Sequence, residues 1–207
     1  PVFVQAEEMK NDGNKKEETK DENTGGATVQ GTEKSFADVP ASSYFRNAVQ
    51  WAVASGITSG TDERNFSPNA VCTRAQVITF LWRAAGSPAQ AGDAVHFTDI
   101  NENAYYADAI RWAIAKGITS GVSETEFAPQ STITRAQAVS LLYRAAASPA
   151  ADGEVAFSDV AQDSYYADAV RWAVANGITS GTTNSTFGPK DICTRAQIVT
   201  FLYRWAK

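Results

Sequence analysis

Three arginines, Arg74, Arg135 and Arg195, each stand in the same phrase, Thr-Arg-Ala-Gln, at residues 73–76, 134–137 and 194–197. A guanidinium offers a planar fork of N–H donors that grips a carboxylate or phosphate at two points. The phrase also has the form of a helix start, in which Thr accepts from the helix and the Gln three residues later bonds back to the Thr N–H. A cation in that first turn faces the positive end of the helix dipole and costs about 0.3–1 kcal/mol, so stability alone would favour Asp or Glu there. Two roles explain an arginine in this place. It can receive an anionic ligand beside free helix N–H groups, or it can form a structural strut to the aspartate that opens each repeat, Asp38, Asp99 or Asp159.

Other residues with chemical potential are fewer. Trp51, Trp112 and Trp172 recur at one position of a predicted helix, where they can pack in the core or stack on a sugar ring. Gly60, Gly121 and Gly181 end the phrase Gly-Ile-Thr-Ser-Gly and suit a turn with positive φ or close approach to a ligand. Cys72 and Cys193 are equivalent to Ile133, so they read as small apolar packing residues rather than a disulfide. The single histidine, His96, falls in a linker without counterparts. No nucleophile motif, phosphate-cradling loop or metal-ligand spacing accompanies it, so neither an enzyme nor a cofactor is expected. Asp108 and Asp168, three residues before Arg111 and Arg171, read as solvated helix charge pairs.

The elements that must position these residues come three times over. Residues 36–88 and 97–149 superpose at a constant offset of 61, and residues 157–207 follow the second copy at an offset of 60. Each copy opens with Phe-x-Asp, at Phe36, Phe97 and Phe157. A first helix follows, with Ser42, Asn103 or Asp163 as expected N-cap. Its apolar face is Phe45, Val49 and Ala52, repeated as Tyr106, Ile110, Ala113 and as Tyr166, Val170, Ala173. Gly56, Gly117 and Gly177, each followed by Ile, mark its end as a left-handed glycine cap. A loop carrying Phe-x-Pro leads to the second helix, with Cys72, Ile133 or Cys193 placed as the hydrophobic staple ahead of the capping Thr. A helix–loop–helix unit of this size cannot cover its own apolar face and must pack on its neighbours.

The remaining sequence is of a different kind. Residues 1–6 are apolar and end in Val4-Gln5-Ala6, the pattern of the end of a secretory signal. Residues 7–35 carry five lysines against eight acidic residues without periodicity, and are expected to be a disordered linker. The whole chain of 207 residues has a formal charge of −5, which argues against nucleic-acid binding. No apolar run approaches the roughly 20 residues needed to span a bilayer, so membrane insertion is not expected.

Phe-x-Asp followed by Val or Ile, Gly-Ile-x-x-Gly, Phe-x-Pro and Thr-Arg-Ala-Gln, in register three times across residues 36–204, resemble the S-layer homology (SLH) family. Its pattern has Glu where Gln76, Gln137 and Gln197 stand, a change that keeps the capping role and removes a charge. The resemblance implies an all-α domain of three helix–loop–helix repeats in pseudo-threefold arrangement, with one helix of each in a central bundle and grooves between the repeats. It further implies a secreted protein anchored non-covalently to the bacterial cell wall through a secondary cell-wall polysaccharide, held by an anionic group such as a pyruvate ketal. The implied contact residues are Arg74, Arg135 and Arg195, the glycines Gly60, Gly121 and Gly181, and nearby aromatics and aspartates, among which Trp51, Trp112, Trp172, Asp38, Asp99 and Asp159 are the candidates. The alternative is a structural module that self-assembles into a surface layer without binding glycan. A cargo domain or surface-layer partner outside this chain completes either expectation.

Overall fold

The computed structural model describes residues 34–89, 97–151, 153–154 and 157–207. The signal-like residues 1–6, residues 7–33 of the expected linker, and His96 lie outside the described residues. The described residues form six helices: α1 (Arg46–Ala54), α2 (Arg74–Ala84), α3 (Ala107–Ala115), α4 (Arg135–Ala145), α5 (Ala167–Ala175) and α6 (Arg195–Trp205). The fold is all-α with two helices per repeat, as the periodicity indicates.

The second helix of each unit starts where the sequence says. Thr73, Thr134 and Thr194 accept from the backbone N–H of Gln76, Gln137 and Gln197, and each Gln side chain accepts from the N–H of its Thr, closing a capping box three times. Such caps contribute about 0.5–2 kcal/mol each. The first helix ends on Gly56, Gly117 and Gly177 at φ of +69°, +66° and +65°. The N–H of Ile57 returns to Ala52 O at 2.8 Å and that of Gly56 to Val53 O at 3.0 Å, the paired bonds of a Schellman cap, and both other units repeat them. Ile57, Ile118 and Ile178 are thereby fixed in the core.

The start of the first helix departs from expectation. Ser42, Asn103 and Asp163 do not cap it, because the helix opens three residues later with Phe45, Tyr106 and Tyr166 at the N-cap position and no side-chain cap. Two successive turns fill the interval, Ser43 N–H to Pro40 O at 3.0 Å and Arg46 N–H to Ser43 O at 3.1 Å in the first unit. Backbone carbonyls of the incoming turn thus take the place of a capping side chain.

Packing crosses the repeat boundaries. α3 lies on α2, α5 on α4 and α1 on α6, while α2 also meets α4 and α6 at the centre. The first helix of each unit therefore covers the second helix of the preceding unit, and the chain's first helix closes the ring on its last. At the centre the segments before the capping threonines join directly. Cys72 N–H donates to Cys193 O (2.9 Å), Cys193 N–H to Ile133 O (2.9 Å) and Ile133 N–H to Cys72 O (3.1 Å). All three residues are fully buried, and the two cysteines are free thiols that burial pushes up to about 12.

A nine-residue helix is marginal in water by itself, and here its apolar face is covered by a different repeat. Residues 90–151 expressed alone are expected to show no cooperative thermal transition by circular dichroism, whereas residues 34–207 melt in one step; a cooperative transition in the single unit would contradict this packing.

Candidate functional site

The three arginines that open the second helices are buried, at 6%, 5% and 4% exposure for Arg74, Arg135 and Arg195. Each reaches into the following unit. Arg74 Nε donates to Phe127 O, Arg135 Nε to Phe187 O and Arg195 Nε to Phe66 O, all at 3.0 Å. The ring of the same phenylalanine faces the guanidinium carbon at 4.9, 4.7 and 4.9 Å, within cation–π range. Burial lowers the pKa of all three arginines, and no carboxylate bonds them among the described residues.

The conflict with the helix dipole is resolved by the same neighbour. Arg74 N–H donates to Ser131 O at 2.9 Å and Ala75 N–H to Pro129 O at 3.0 Å, so carbonyls of the next unit occupy the positive end of α2. The pattern repeats at α4 with Asp191 and Pro189 and at α6 with Ala70 and Pro68. The helix starts are therefore not the free N–H receptors expected from the sequence, since their donors are spent in holding the ring.

The aspartates stand behind the loops. Asp38 accepts from Phe66 N–H at 2.9 Å and Ser67 N–H at 2.7 Å, and Asp99 and Asp159 bond the equivalent pairs. The second residue of each pair is left-handed, with φ of +59° at Ser67, +58° at Ala128 and +71° at Gly188. A carboxylate with two acceptor oxygens thus fixes the turn whose Phe carbonyl receives the arginine. The strut between Arg and Asp exists only through this intervening turn.

The tryptophans take part in the helix contacts. Trp112 and Trp172 are buried, Trp51 lies 5.7 Å from Tyr203 and Trp172 lies 5.6 Å from Tyr143, ring to ring. The loop glycines have little room: a Cβ on Gly60 would lie 2.5 Å from Phe36 and 2.7 Å from the Asn65 carbonyl, and Gly121 and Gly181 are as confined.

Between the second and third units opens a groove of about 270 Å³. Its lining includes Arg135, the loop 179–182 with Gly181, Phe201, Arg204 from the last turn of α6, and Tyr44 from the first unit. All three units therefore contribute to one groove. Tyr44, Tyr105 and Tyr165 are 68%, 59% and 66% exposed, and each stands edge-on to the aromatic that follows it. Partial dehydration raises the pKa of each phenol, while two arginines pull it back: Arg204 and Arg135 for Tyr44, Arg83 and Arg195 for Tyr105, Arg144 and Arg74 for Tyr165. Two arginines, one from each of two units, thus act on each of the three tyrosines.

The sequence reading thus placed Arg135 and Gly181 in the groove, while neither Asp159 nor any of the three tryptophans lines it. It missed the tyrosines and the outer arginines Arg83, Arg144 and Arg204. Those arginines donate through Nη1 to the carbonyls of Ile57, Ile118 and Ile178, at 3.0, 3.4 and 3.3 Å. Their recurrence in all three units is visible in the sequence; that they share a groove with an arginine of another unit is not. The charge pairs form as expected, Arg111 to Asp108 at 2.7 Å and Arg171 to Asp168, both on the surface.

Helix pairs closed into a ring, with a cationic and aromatic groove between repeats, define a repeat-built domain, and no cluster of three or more His, Cys, Asp or Glu that could hold a metal ion stands among its described residues. The chain belongs to the S-layer homology domain family, whose pattern matches residues 35–78, 96–139 and 156–199. It is 36% identical over 141 residues to the Surface-layer 125 kDa protein of Lysinibacillus sphaericus, covering 68% of this chain and 12% of that protein. An S-layer protein of Bacillus thuringiensis subsp. finitimus is 26% identical over 177 residues, 84% of this chain and 21% of its own length. An endoglucanase of Bacillus sp. (strain KSM-635) is 32% identical over 170 residues, 78% of this chain and 18% of its own length. The chain thus spans no more than about a fifth of these relatives.

Because a single carboxylate fixes each left-handed turn, Asp99→Asn, which keeps the shape and loses one of two strong acceptors, is expected to cost about 1.5–3 kcal/mol of stability. Chemical denaturation of the variant checks this; an unchanged midpoint would show that the turn holds without the charge.

Proposed function

We propose that this chain is a non-catalytic module that holds a secreted protein on the bacterial cell wall by binding an anionic secondary cell-wall polysaccharide in its inter-unit grooves. One observation carries the reading. The groove between the second and third units brings together two arginines from different units, Arg135 and Arg204, with no carboxylate partner among the described residues, beside the largely exposed Tyr44. Paired guanidiniums suit a carboxylate such as that of a pyruvate ketal, and the tyrosine offers a face for the sugar ring. Membership of the family and the surface-layer names of the relatives support a place at the cell surface. In this reading Arg135, Gly181, Arg204 and Tyr44 border the ligand between the second and third units, and Arg74, Arg195, Gly60 and Gly121 occupy the equivalent places at the other two inter-unit positions. The aspartates and tryptophans hold the frame.

A second reading, lateral assembly into a surface layer without glycan, is favoured by the same surface-layer relatives. Sedimentation with purified sacculi separates the two. Removal of the secondary polymers abolishes pelleting for an anchor and leaves it unchanged for a self-assembling module.

The inner arginines hold neighbouring units together, so their replacement is expected to destabilise the ring and is a poor probe of binding. The outer arginines are a better one: the triple variant Arg83→Gln, Arg144→Gln, Arg204→Gln is expected to keep a cooperative melt and lose pelleting with intact sacculi. Losing a charge-assisted contact costs about 1.5–3 kcal/mol in a groove that holds ligand. Full retention by a folded triple variant would refute the groove as the binding site.

A further inference from the structure

We infer that the three grooves are not equivalent, and that the two floored by phenylalanine, at Phe201 and Phe80, carry the ligand affinity while the groove of Arg74 and Arg144 is degenerate. The inference rests on the anion-binding reading above and assigns that function among this chain's own grooves.

The difference begins with how firmly each inner arginine is held. Arg135 is gripped on several sides: Nε on Phe187 O, Nη2 on Thr179 Oγ1 at 3.2 Å and on Ser180 O at 2.9 Å, with the rings of Phe187 and Phe201 at 4.7 and 5.6 Å. Arg195 keeps both rings, Phe66 and Phe80 at 4.9 and 5.5 Å, and one long Nη2 contact, 3.5 Å from Thr58 Oγ1, without a counterpart of the Ser180 bond among the described contacts. For Arg74 the described side-chain bonds stop at Nε, and only Phe127 faces the guanidinium. The second ring is missing because Leu141 stands where the other units have Phe80 and Phe201.

Two further replacements fall in the same groove. The floor residues Thr79 and Thr200 become Ser140, and the loop hydroxyls Thr61 and Thr182 become Val122, which is 52% exposed. A hydroxyl next to the loop glycine is thus exchanged for an apolar side chain facing water. The Thr61 and Thr182 hydroxyls also brace their loops, donating to the Asn65 and Thr186 carbonyls at 3.1 and 3.3 Å, a bond Val122 cannot make, so a ligand entering this groove must order both a less constrained guanidinium and a less braced loop. Preorganisation is what the other two grooves supply, and its loss falls directly on affinity.

The probe is a monosaccharide glycoside bearing a pyruvate ketal, with the ketal-free sugar as control, titrated by calorimetry into residues 34–207. The expected result is two sites per chain. Arg204→Gln and Arg83→Gln each weaken one of them by about tenfold or more, while Arg144→Gln changes neither by as much as about twofold, all three variants melting cooperatively. Converting the weak groove with Val122→Thr, Ser140→Thr and Leu141→Phe is expected to add a third site. Three equal sites in the unmodified chain, or an Arg144→Gln loss matching that of Arg204→Gln, would overturn the inference and leave the anion-binding reading intact. No heat with any chain would overturn both. If the converted groove proves too crowded to fold, the three single Gln variants decide the matter by themselves.

Discussion

The structure depends on a closed circuit of three backbone hydrogen bonds, in which Cys72, Ile133 and Cys193 each give an N–H to one neighbour and a carbonyl to the other. Buried backbone groups must be paired, and at this point of the chain no helix or sheet of the same unit can pair them. Only two other copies of the segment, distant in the chain, complete the set. The next residue in each unit is the capping Thr, so the circuit also sets where α2, α4 and α6 begin. From there the first helices settle on the preceding unit's second helix, and the last place is filled by α1 on α6. Stability here is a property of the ring and not of its parts.

The inner arginines join that ring to the groove beside it. A guanidinium has donors to spare, and here Nε is committed to the next unit's Phe carbonyl while the far side of the fork borders a groove. A lysine would have one charged point and could not serve both ends at once. The carbonyls that anchor the arginines belong to turns fixed by Asp38, Asp99 and Asp159, so the aspartates influence the groove without reaching it. Frame and groove therefore share atoms, and this explains why a first-turn cation is retained at a place where helix electrostatics disfavour it.

Much of this was legible in the sequence because its causes are local. The capping boxes, the glycine caps and the amphipathic face of the first helix each follow from residues within a few positions of one another. Ser42, Asn103 and Asp163 misled for a physical reason: a residue can be a good cap only if the helix starts beside it, and an intervening turn moved the start onto the aromatic pair. The groove was half legible. Arg135 and Gly181 lie in it, but Arg204 joins them from the far end of the third unit and Tyr44 from the first unit, and only the cyclic order in space brings them together. The same limit applied to Cys72 and Cys193. They are the buried free thiols that their equivalence to Ile133 suggested, but that an axis brings all three to one point is not visible in the sequence.

The account's central claim is that the three units close as one cooperative ring through that central circuit. Native-state hydrogen exchange of the Cys72, Ile133 and Cys193 amides tests it most directly, because each reports the opening of one bond of the circuit. The account predicts that all three exchange only through global unfolding, with a common opening free energy equal to that of the whole domain. An amide that opens more easily than its two counterparts by more than about 1 kcal/mol, with the rest of the domain still protected, would show that one unit can leave the ring by itself and would contradict the account.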